Sequence, residues 1–227
     1  MNLGEIRTAV QNRLDTTVSS GRFTATLIDQ WTNDGYQQMC VRSGVLVGNL
    51  ALTPIVGQIF YDLPDDCIRV TRVFRTDTRE KVFPIDIERL DHRWPSWQKD
   101  TGTRFEWYFV FGLRQIALGP KFGTVGTEEY EIRYERDPGD QAMFLVTDEP
   151  ETPKKYHDAL IDYATARALL YDGAQESLET ATLNLGDFQK KTVKLKGEVG
   201  KTIDRTWVMR PEDPHFGDWA TSHHEGV

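Results

Sequence analysis

The stretch TPKKYHDALIDYATARALLYDG, residues 152–173, carries the strongest folding signal in the chain. Thr152 is a favourable N-cap residue, and Pro153 suits the first helical position because its missing amide hydrogen would have no partner there. Apolar residues follow at helical spacing up to Asp172-Gly173, a typical helix stop; they are Tyr156, Leu160, Tyr163 and Leu170. The stretch therefore predicts an amphipathic helix.

Three further segments show the same helical spacing. Two open the chain, with Leu3, Ile6, Val10 and Leu14 in the first and Leu27, Ile28, Trp31 and Met39 in the second. The second has Thr24 as its N-cap and a stop at Ser43-Gly44. A helix of about 30 residues follows the quoted stretch, because an apolar stripe runs from Leu178 to Ile203 at about 100° per residue. None of these helices can bury its apolar face alone, so the four are expected to pack together.

Between the two helical pairs the pattern changes to short β-rich runs separated by turn residues. They are QIFYDLP, CIRVTRVFRT, KVFPIDI, RFEWYFVFG, RQIALGP and EEYEIRYER. Residues 88–100, ERLDHRWPSWQKD, are too polar and too rich in Trp for a strand, and they predict a helical turn followed by an exposed loop. Residues 137–152 contain Asp and Glu but no Lys or Arg, which is typical of an acidic linker.

These patterns together predict an α+β fold: an antiparallel helical bundle with an inserted antiparallel β domain and an extended C-terminal tail. The bundle is expected from residues 1–49 and 150–206. The inserted β domain with the acidic linker is expected from residues 50–149. Residues 207–227 show no helix or strand period, so we expect them to form the tail.

Charge and cysteine usage exclude several classes of protein. The chain has 27 Lys and Arg residues against 35 Asp and Glu, a net charge of -8, which disfavours sequence-specific DNA binding. Cys40 and Cys67 lack the spacing of a metal or redox site and are expected to be free thiols in a reducing cytoplasm. The N-terminus lacks the apolar core of a signal peptide, and no run approaches the ~20 apolar residues of a membrane span. We therefore expect a soluble protein that is made in the cytoplasm and contacts no membrane.

No residue pattern meets the requirements of an active site, which needs a nucleophile with a base, a carboxylate pair in a cleft or a cluster of metal ligands. The five histidines lack ligand spacing. GPKFGTVG, residues 119–126, leads into a strand rather than a helix, so it predicts a hairpin turn and not a phosphate-binding loop. Asp62, Asp65 and Asp66 flank Pro64 and predict a β-turn. We expect no catalytic residue, no cofactor, no metal ligand and no enzyme activity.

Two sets of basic residues are candidates for contacts between subunits. Arg167 lies between Tyr163 and Leu170 in the apolar stripe, where an unpaired charge would be unfavourable, so it should pair with a core carboxylate or across a subunit boundary. Lys190, Lys194, Lys201 and Arg205 fall within about 60° of one another on the polar face of the longest helix. This basic stripe is either a solvated face or one side of an interface, and the acidic linker of a neighbouring subunit would be its natural partner.

The tail, residues 207–227, is the third candidate for binding. It carries Trp207, Phe216 and Trp219 beside two prolines, and it is too short to build its own core. Aromatic side chains are favoured anchors at buried interfaces, so the tail is expected to bind an adjacent subunit or another protein. The alternative is an ordinary loose terminus.

Several stretches, taken in order, resemble one protein family. They are LGEIRTAVQNRL, FTATLIDQWTNDGYQQM, YDLPDDCIRVTRV, QIALGP, EIRYERDP and TPKKYHDALIDYATARALLYDG. Over residues 1 to about 190 the chain resembles the head-to-tail adaptor proteins of tailed bacteriophages. In that family a helical pair ending in a Trp-containing helix precedes a β insertion with a Tyr-x-Leu-Pro turn, and a helix rich in Ala, Leu and Tyr closes the pattern.

The resemblance implies a structural virion protein at the head–tail interface, synthesised in the host cytoplasm. It implies a ring, usually twelvefold, that joins the portal protein to the tail or nozzle proteins. Genomic DNA would pass through the lumen without sequence-specific binding, and a negatively charged lumen would let it slide. Such a role needs no catalytic site.

Two other classes of protein remain open from the sequence. An aromatic platform for sugar rings would indicate a carbohydrate-binding or hydrolytic virion or tail component; its candidates are Trp94, Trp97, Trp107 and Tyr108. Alternation along RFEWYFVF, however, sends Phe105, Trp107 and Phe109 to one face of a strand and Tyr108 to the other. The remaining class is a cytoplasmic regulatory or enzymatic domain unrelated to phages.

Overall fold

Five α-helices and nine β-strands make up the part of the chain that the structure, a computed structural model, describes: residues 1–14, 23–124, 128–139, 143–172 and 175–202. The helices are α1 (Leu3–Arg13), α2 (Ala25–Ser43), α3 (Ile87–Arg93), α4 (His157–Asp172) and α5 (Gln175–Thr202). The described residues of Met1–Val47 and Glu135–Asp204 form one compact unit, here called the helical unit. Those of Gly48–Tyr134 form a second, the sheet unit. The predicted tail, residues 207–227, lies outside the described residues.

Local capping chemistry sets the ends of α1 and α2. Asn2 and Glu5 form a capping box at the start of α1, in which each side chain accepts a hydrogen bond from the other residue's backbone N–H. The Thr24 side chain accepts from the Leu27 amide at the start of α2, and Gly44 closes that helix in the left-handed conformation at φ 64°. The predicted limits of α2 are therefore confirmed.

The start of α4 differs from the prediction. A short 3-10 turn over Lys154–Tyr156 precedes the helix, so Thr152 does not cap it and α4 begins at His157. The His157 ring is fully buried, with Nε2 2.9 Å from the Thr152 carbonyl oxygen and Nδ1 3.1 Å from the Met1 amine. Every residue of 159–166 is buried, because α1, α2 and α5 all pack against α4. This helix is therefore the centre of the helical unit.

A buried carboxylate links three helices of this unit. Asp162 of α4 accepts hydrogen bonds from Arg13 Nη1 of α1 at 2.5 Å and from Lys191 Nζ of α5 at 2.6 Å. The Asp162 side chain is 6% exposed, whereas those of Arg13 and Lys191 are 42% and 36% exposed. Two cations compensate the one buried charge, as burial of an ionised group requires.

Replacing Asp162 by Asn is expected to lower the free energy of unfolding by about 2 kcal/mol. Removing one member of a buried ion pair leaves its partners uncompensated, and here Arg13 and Lys191 recover part of that loss in water. Guanidinium denaturation followed by circular dichroism measures the change. Asp187→Asn on α5 removes an exposed pair with Lys190 and serves as the control, with an expected change of about 0.5 kcal/mol or less. Equal effects of the two substitutions would contradict the proposed role of Asp162.

Seven of the nine strands form one sheet in the order β1-β9-β3-β4-β6-β7-β2, and β5 pairs separately with β8. The strands are β1 (Val47–Leu52), β2 (Phe60–Asp62), β3 (Cys67–Arg75), β4 (Lys81–Pro84), β5 (Thr101–Gly102), β6 (Trp107–Phe111), β7 (Gln115–Gly119), β8 (Lys121–Phe122) and β9 (Tyr130–Arg136). Strand β4 is antiparallel to β3 but parallel to β6, while β7 is antiparallel to β6 and to β2. The sheet is therefore mixed.

The prediction of an antiparallel helical bundle with an inserted antiparallel β domain is wrong. The described chain has a sheet-rich α+β fold, in which the seven-stranded mixed sheet curls into a half-barrel. The physical reason lies between β4 and β6. Parallel neighbours need a crossover connection of roughly a dozen or more residues, and residues 85–106 provide it. A pattern of short runs identifies strands but does not indicate which of them pair.

The crossover contains the predicted helical turn, which is α3, and a loop whose residues 95, 96 and 98–100 are exposed as predicted, but Trp97 within this loop is buried. Leu90 of α3 is fully buried, and Trp97 is 3% exposed. The Trp97 ring packs edge-on against Trp107 and Phe109, with both ring centroids at 5.5 Å, and its Nε1–H donates to Asp91 at 2.7 Å. These side chains form a small core of their own on one face of β6.

Candidate interaction surfaces

The side chains that sequence analysis tested as reactive groups have structural partners. Asp62 accepts from Gln115, Asp65 pairs with Arg114 at 2.9 Å, and Asp66 accepts from the Tyr134 hydroxyl. The Cys67 amide donates to the Pro64 carbonyl at 3.0 Å, which confirms the predicted turn. Among the described residues there is no group of His, Cys, Asp and Glu that could hold a metal ion. In the same ranges no helix has the length and apolar character needed to cross a lipid bilayer.

The two cysteines and the Gly-rich stretch are also structural. Burial raises the pKa of Cys40 to about 12 and that of Cys67 to about 11, so neither thiol ionises near neutral pH. Residues 119–122 of GPKFGTVG end β7 and form β8, which pairs with β5. Residues 119–122 therefore differ from the predicted hairpin turn, residues 125–127 lie outside the described chain, and the next described element is the strand β9.

The aromatic side chains considered as a sugar platform are mostly interior. Trp97, Trp107 and Tyr108 are each less than 5% exposed. Trp107 and Phe109 lie in one core and Tyr108 in the other, as alternation predicts. Phe105 lies in the same core as Tyr108, because it stands before β6 begins and does not follow the alternation of that strand. The placement of Phe105 was therefore wrong. The burial of these side chains prevents them from forming the exposed aromatic platform that favoured a carbohydrate-binding component.

The outer face of α5 carries the basic stripe. Lys190, Lys194 and Lys201 are exposed on the side opposite the buried Phe188 and Leu195. Arg205, the fourth member of the stripe, lies outside the described residues. Lys190 reaches Asp187 on the same helix at 3.1 Å, a pair of exposed groups that contributes little to stability. The stripe is therefore available for contact with another molecule.

Two apolar residues that sequence analysis did not single out share this face. Leu183 is 70% exposed and Val193 is 69% exposed. Gly186 and Gly197 lie on the same side, and a Cβ at either position would meet no atom within 4 Å. Glycine within an exposed helix lowers stability by about 1 kcal/mol relative to alanine, so nothing in the described chain accounts for these two. We define Leu183, Lys190, Val193, Lys194 and Lys201 as the α5 outer face.

A second surface comes from residues 143–149, within the predicted acidic linker. Its backbone is fixed to α1 and α2, because the Leu3 and Gly4 amides donate to the Asp148 and Val146 carbonyls at 2.9 Å and Asn33 exchanges two hydrogen bonds with Met143. The first two of these bonds satisfy amides that the first turn of a helix leaves without partners. The segment is thus a docked part of the helical unit and not a free connection.

This segment holds apolar side chains outward. The Asp148 carboxylate accepts from the Phe144 and Leu145 amides at 2.8 and 2.7 Å, which fixes the turn. Phe144 is 74% exposed, and Leu145 and Val146 are about half exposed. An open groove of about 570 Å³ runs beside them along α1, lined by Gly4, Glu5, Thr8, Ala9 and Val146. We call residues 144–149 and this groove the α1 surface.

The remaining predicted contact residues have different outcomes. Arg167 is exposed on α4, so the core carboxylate that the buried stripe predicted is not needed, and its pairing across a subunit boundary stays a prediction. Residues 159–166 of α4 are all buried, whereas the C-terminal part of the helix is less covered, and Leu170 there is 39% exposed. An exposed Arg167 needs no core partner. Trp207, Phe216 and Trp219 lie outside the described residues.

The sheet unit has an apolar patch of its own. Val110, Phe111 and Leu113 are exposed at the turn between β6 and β7, and the Phe111 ring packs against exposed Phe60 of the edge strand β2 at 5.9 Å. Contiguous exposed apolar side chains on a soluble protein commonly mark a surface used for binding.

The described residues leave apolar and charged surfaces exposed. Such surfaces suit a structural protein that docks onto other subunits. Comparison of the sequence with protein families is consistent with this class. The chain belongs to the SU10 adaptor protein family, whose model matches residues 1–210. This confirms the resemblance to phage head–tail adaptors and makes the chain a structural phage adaptor protein, a virion component of the head–tail region. A search of curated proteins finds no match.

Proposed function

We propose that the chain is the repeating subunit of a closed ring that joins the portal of a tailed phage to its tail or nozzle proteins. The observation that carries this proposal is the family match over residues 1–210. In the family that the sequence resembles the ring is usually twelvefold, and we propose the same subunit number here, with the genome passing through the lumen. The role requires binding surfaces and no catalytic site.

The chemistry of the chain supports this role. A closed ring uses two different surfaces of each subunit, because every copy contacts the next in the same head-to-tail way. The helical unit carries two surfaces of different composition, the α5 outer face and the α1 surface. The net charge of -8 suits a lumen that repels phosphate and lets DNA move without sticking.

Imaging the full chain with the portal protein of the same phage tests the proposal. The expected result is a ring of density on one face of the portal, with one fixed subunit number by native mass spectrometry. A twofold dimer, or a portal without added density, would show that the chain is not a ring adaptor.

Removing residues 207–227 is expected to weaken attachment to the portal by at least about tenfold, a change of roughly 1.4 kcal/mol in binding free energy. The reason is the set of aromatic anchors Trp207, Phe216 and Trp219. Sedimentation of the truncated chain with portal complexes measures the loss. The melting temperature of the truncated chain should match that of the full chain. Full-affinity docking without these residues would assign them no part in attachment.

A further inference from the structure

We propose that the α5 outer face of one subunit docks onto the α1 surface of the next copy of the chain, and that this contact closes the ring. The inference rests on the proposed ring function and specifies which surfaces meet. It needs a second copy of this chain and no other partner.

Charge complementarity favours a second copy as the occupant. The α5 outer face contributes Lys190, Lys194 and Lys201, all exposed. The α1 surface contributes Glu5, which is 61% exposed beside the Met1 amine, and Glu149, which is 50% exposed and lies 3.5 Å from Lys154 Nζ, so both carboxylates can still accept a further cation. Opposite charges at the rims of two surfaces orient them and disfavour other registers, including contact of each surface with its own copy.

Apolar side chains on both surfaces give the contact a centre. Leu183 and Val193 project from α5, and Phe144, Leu145 and Val146 project from the α1 surface. Burying such side chains is the dominant favourable contribution to association, and on α5 they lie on either side of Lys190 along the helix. Gly186 and Gly197 leave open space on α5, which allows a neighbouring backbone to approach closely.

The α1 surface is already in a fixed conformation before any partner binds. Its turn is held by the Asp148 carboxylate, and its ends are tied to α1 and α2 by backbone and Asn33 hydrogen bonds. A surface that is ordered in advance loses little conformational entropy when it is covered. The groove beside it has room for side chains such as the lysines of α5.

One subunit can use the α5 outer face and the α1 surface at the same time. Helix α1 and helix α5 each pack against α2 and α4, with little contact between α1 and α5 themselves. One copy therefore offers its α5 outer face to one neighbour and its α1 surface to the other. This is the arrangement that a heterologous ring requires.

Reversing charge on the α5 outer face tests the contact. Lys190→Glu with Lys194→Glu is expected to weaken ring assembly on the portal at least tenfold, measured by sedimentation of the full chain. Glu149→Lys in the same chain should restore part of that loss, because it reverses the facing charge. Lys196→Glu is the matched control: Lys196 is exposed on α5 but lies about 120° or more around the helix from Lys190, Lys194 and Lys201, so assembly should change far less. Equal losses for the control, or no rescue by Glu149→Lys, would overturn the proposal.

Site-directed cross-linking distinguishes this inference from the proposed function. Val193→Cys and Val146→Cys variants, mixed and assembled with the portal, should form a disulfide between copies. The native Cys40 and Cys67 should interfere little, because their raised pKa values keep them protonated. Leu113→Cys, at an 88% exposed site on the sheet unit, is the control that should not cross-link to position 193. Rings without the 193–146 cross-link would overturn the inference alone, whereas the absence of any ring would overturn the proposed function and the inference with it.

Discussion

Replacing Trp97 by Ala is expected to lower the free energy of unfolding by about 3–5 kcal/mol, the usual loss for a large aromatic side chain removed from a core. Trp97 is 3% exposed and contacts Trp107 and Phe109, so its removal leaves a cavity against β6. The indole N–H donor to Asp91 is lost as well. Chemical denaturation followed by far-ultraviolet circular dichroism measures the change without relying on Trp fluorescence.

Two controls separate the contributions of Trp97. Asp91→Asn weakens only the hydrogen bond and should lower stability by about 1 kcal/mol. Leu113→Ala removes an exposed side chain in the same unit and should change stability by about 0.5 kcal/mol or less. If Trp97 were part of an exposed sugar platform, Trp97→Ala would leave stability unchanged and reduce carbohydrate binding instead. That outcome would contradict the packing of the crossover.

The helices were the predictable part of the fold, since their signals are local. The side chain of Thr24 and the left-handed conformation of Gly44 act within one turn of α2. Spacing alone also predicts the buried stripe of α5 from Ala181 to Leu195, although Leu178, its predicted first member, is 43% exposed. The error at Arg167 has the opposite origin. Helical spacing placed it in a stripe, but exposure depends on which helices cover α4, and they leave its C-terminal part open.

The sheet was less predictable because strand pairing is not local. Strand β2 pairs with β7, more than fifty residues away, and β4 pairs with β6 across a crossover. Trp97 is surrounded in sequence by polar residues, so its burial could not be seen in its neighbours. Only the final topology shows that this stretch covers a face of β6.

The candidate surfaces also have parts that the sequence predicts and parts that depend on the fold. Spacing along α5 was enough to identify the lysine stripe, whereas the exposure of Leu183 and Val193 depends on the neighbours that the fold provides. The run MFLV at residues 143–146 was a signal that could have been used, because four apolar residues are out of place in an acidic linker. Its outward side chains follow from the turn that Asp148 holds.

Replacing Gly119 by Ala is expected to lower the free energy of unfolding by about 3 kcal/mol. Gly119 lies directly opposite Trp107 on the neighbouring strand, and a Cβ at this position would be 2.1 Å from the Trp107 ring. The ring is buried and packed against Trp97, so it has no free space to move into, and overpacking of this kind destabilises a core. Denaturation curves of the variant measure the loss.

Two comparisons decide whether the Trp107 ring is the reason that position 119 of QIALGP is glycine. Gly123→Ala serves as the matched control, since its Cβ would be 3.4 Å from the nearest side chain, an ordinary contact, and its effect should be small. In a Trp107→Phe background the smaller ring removes the clashing atoms, so Gly119→Ala should then lower stability much less than in the native chain. Equal losses in the two backgrounds would place the strain in the backbone instead of the ring. Because the Trp107 ring packs against Trp97, its displacement by Gly119→Ala in the native chain should also loosen the crossover, and faster hydrogen exchange of residues 88–100 would report it.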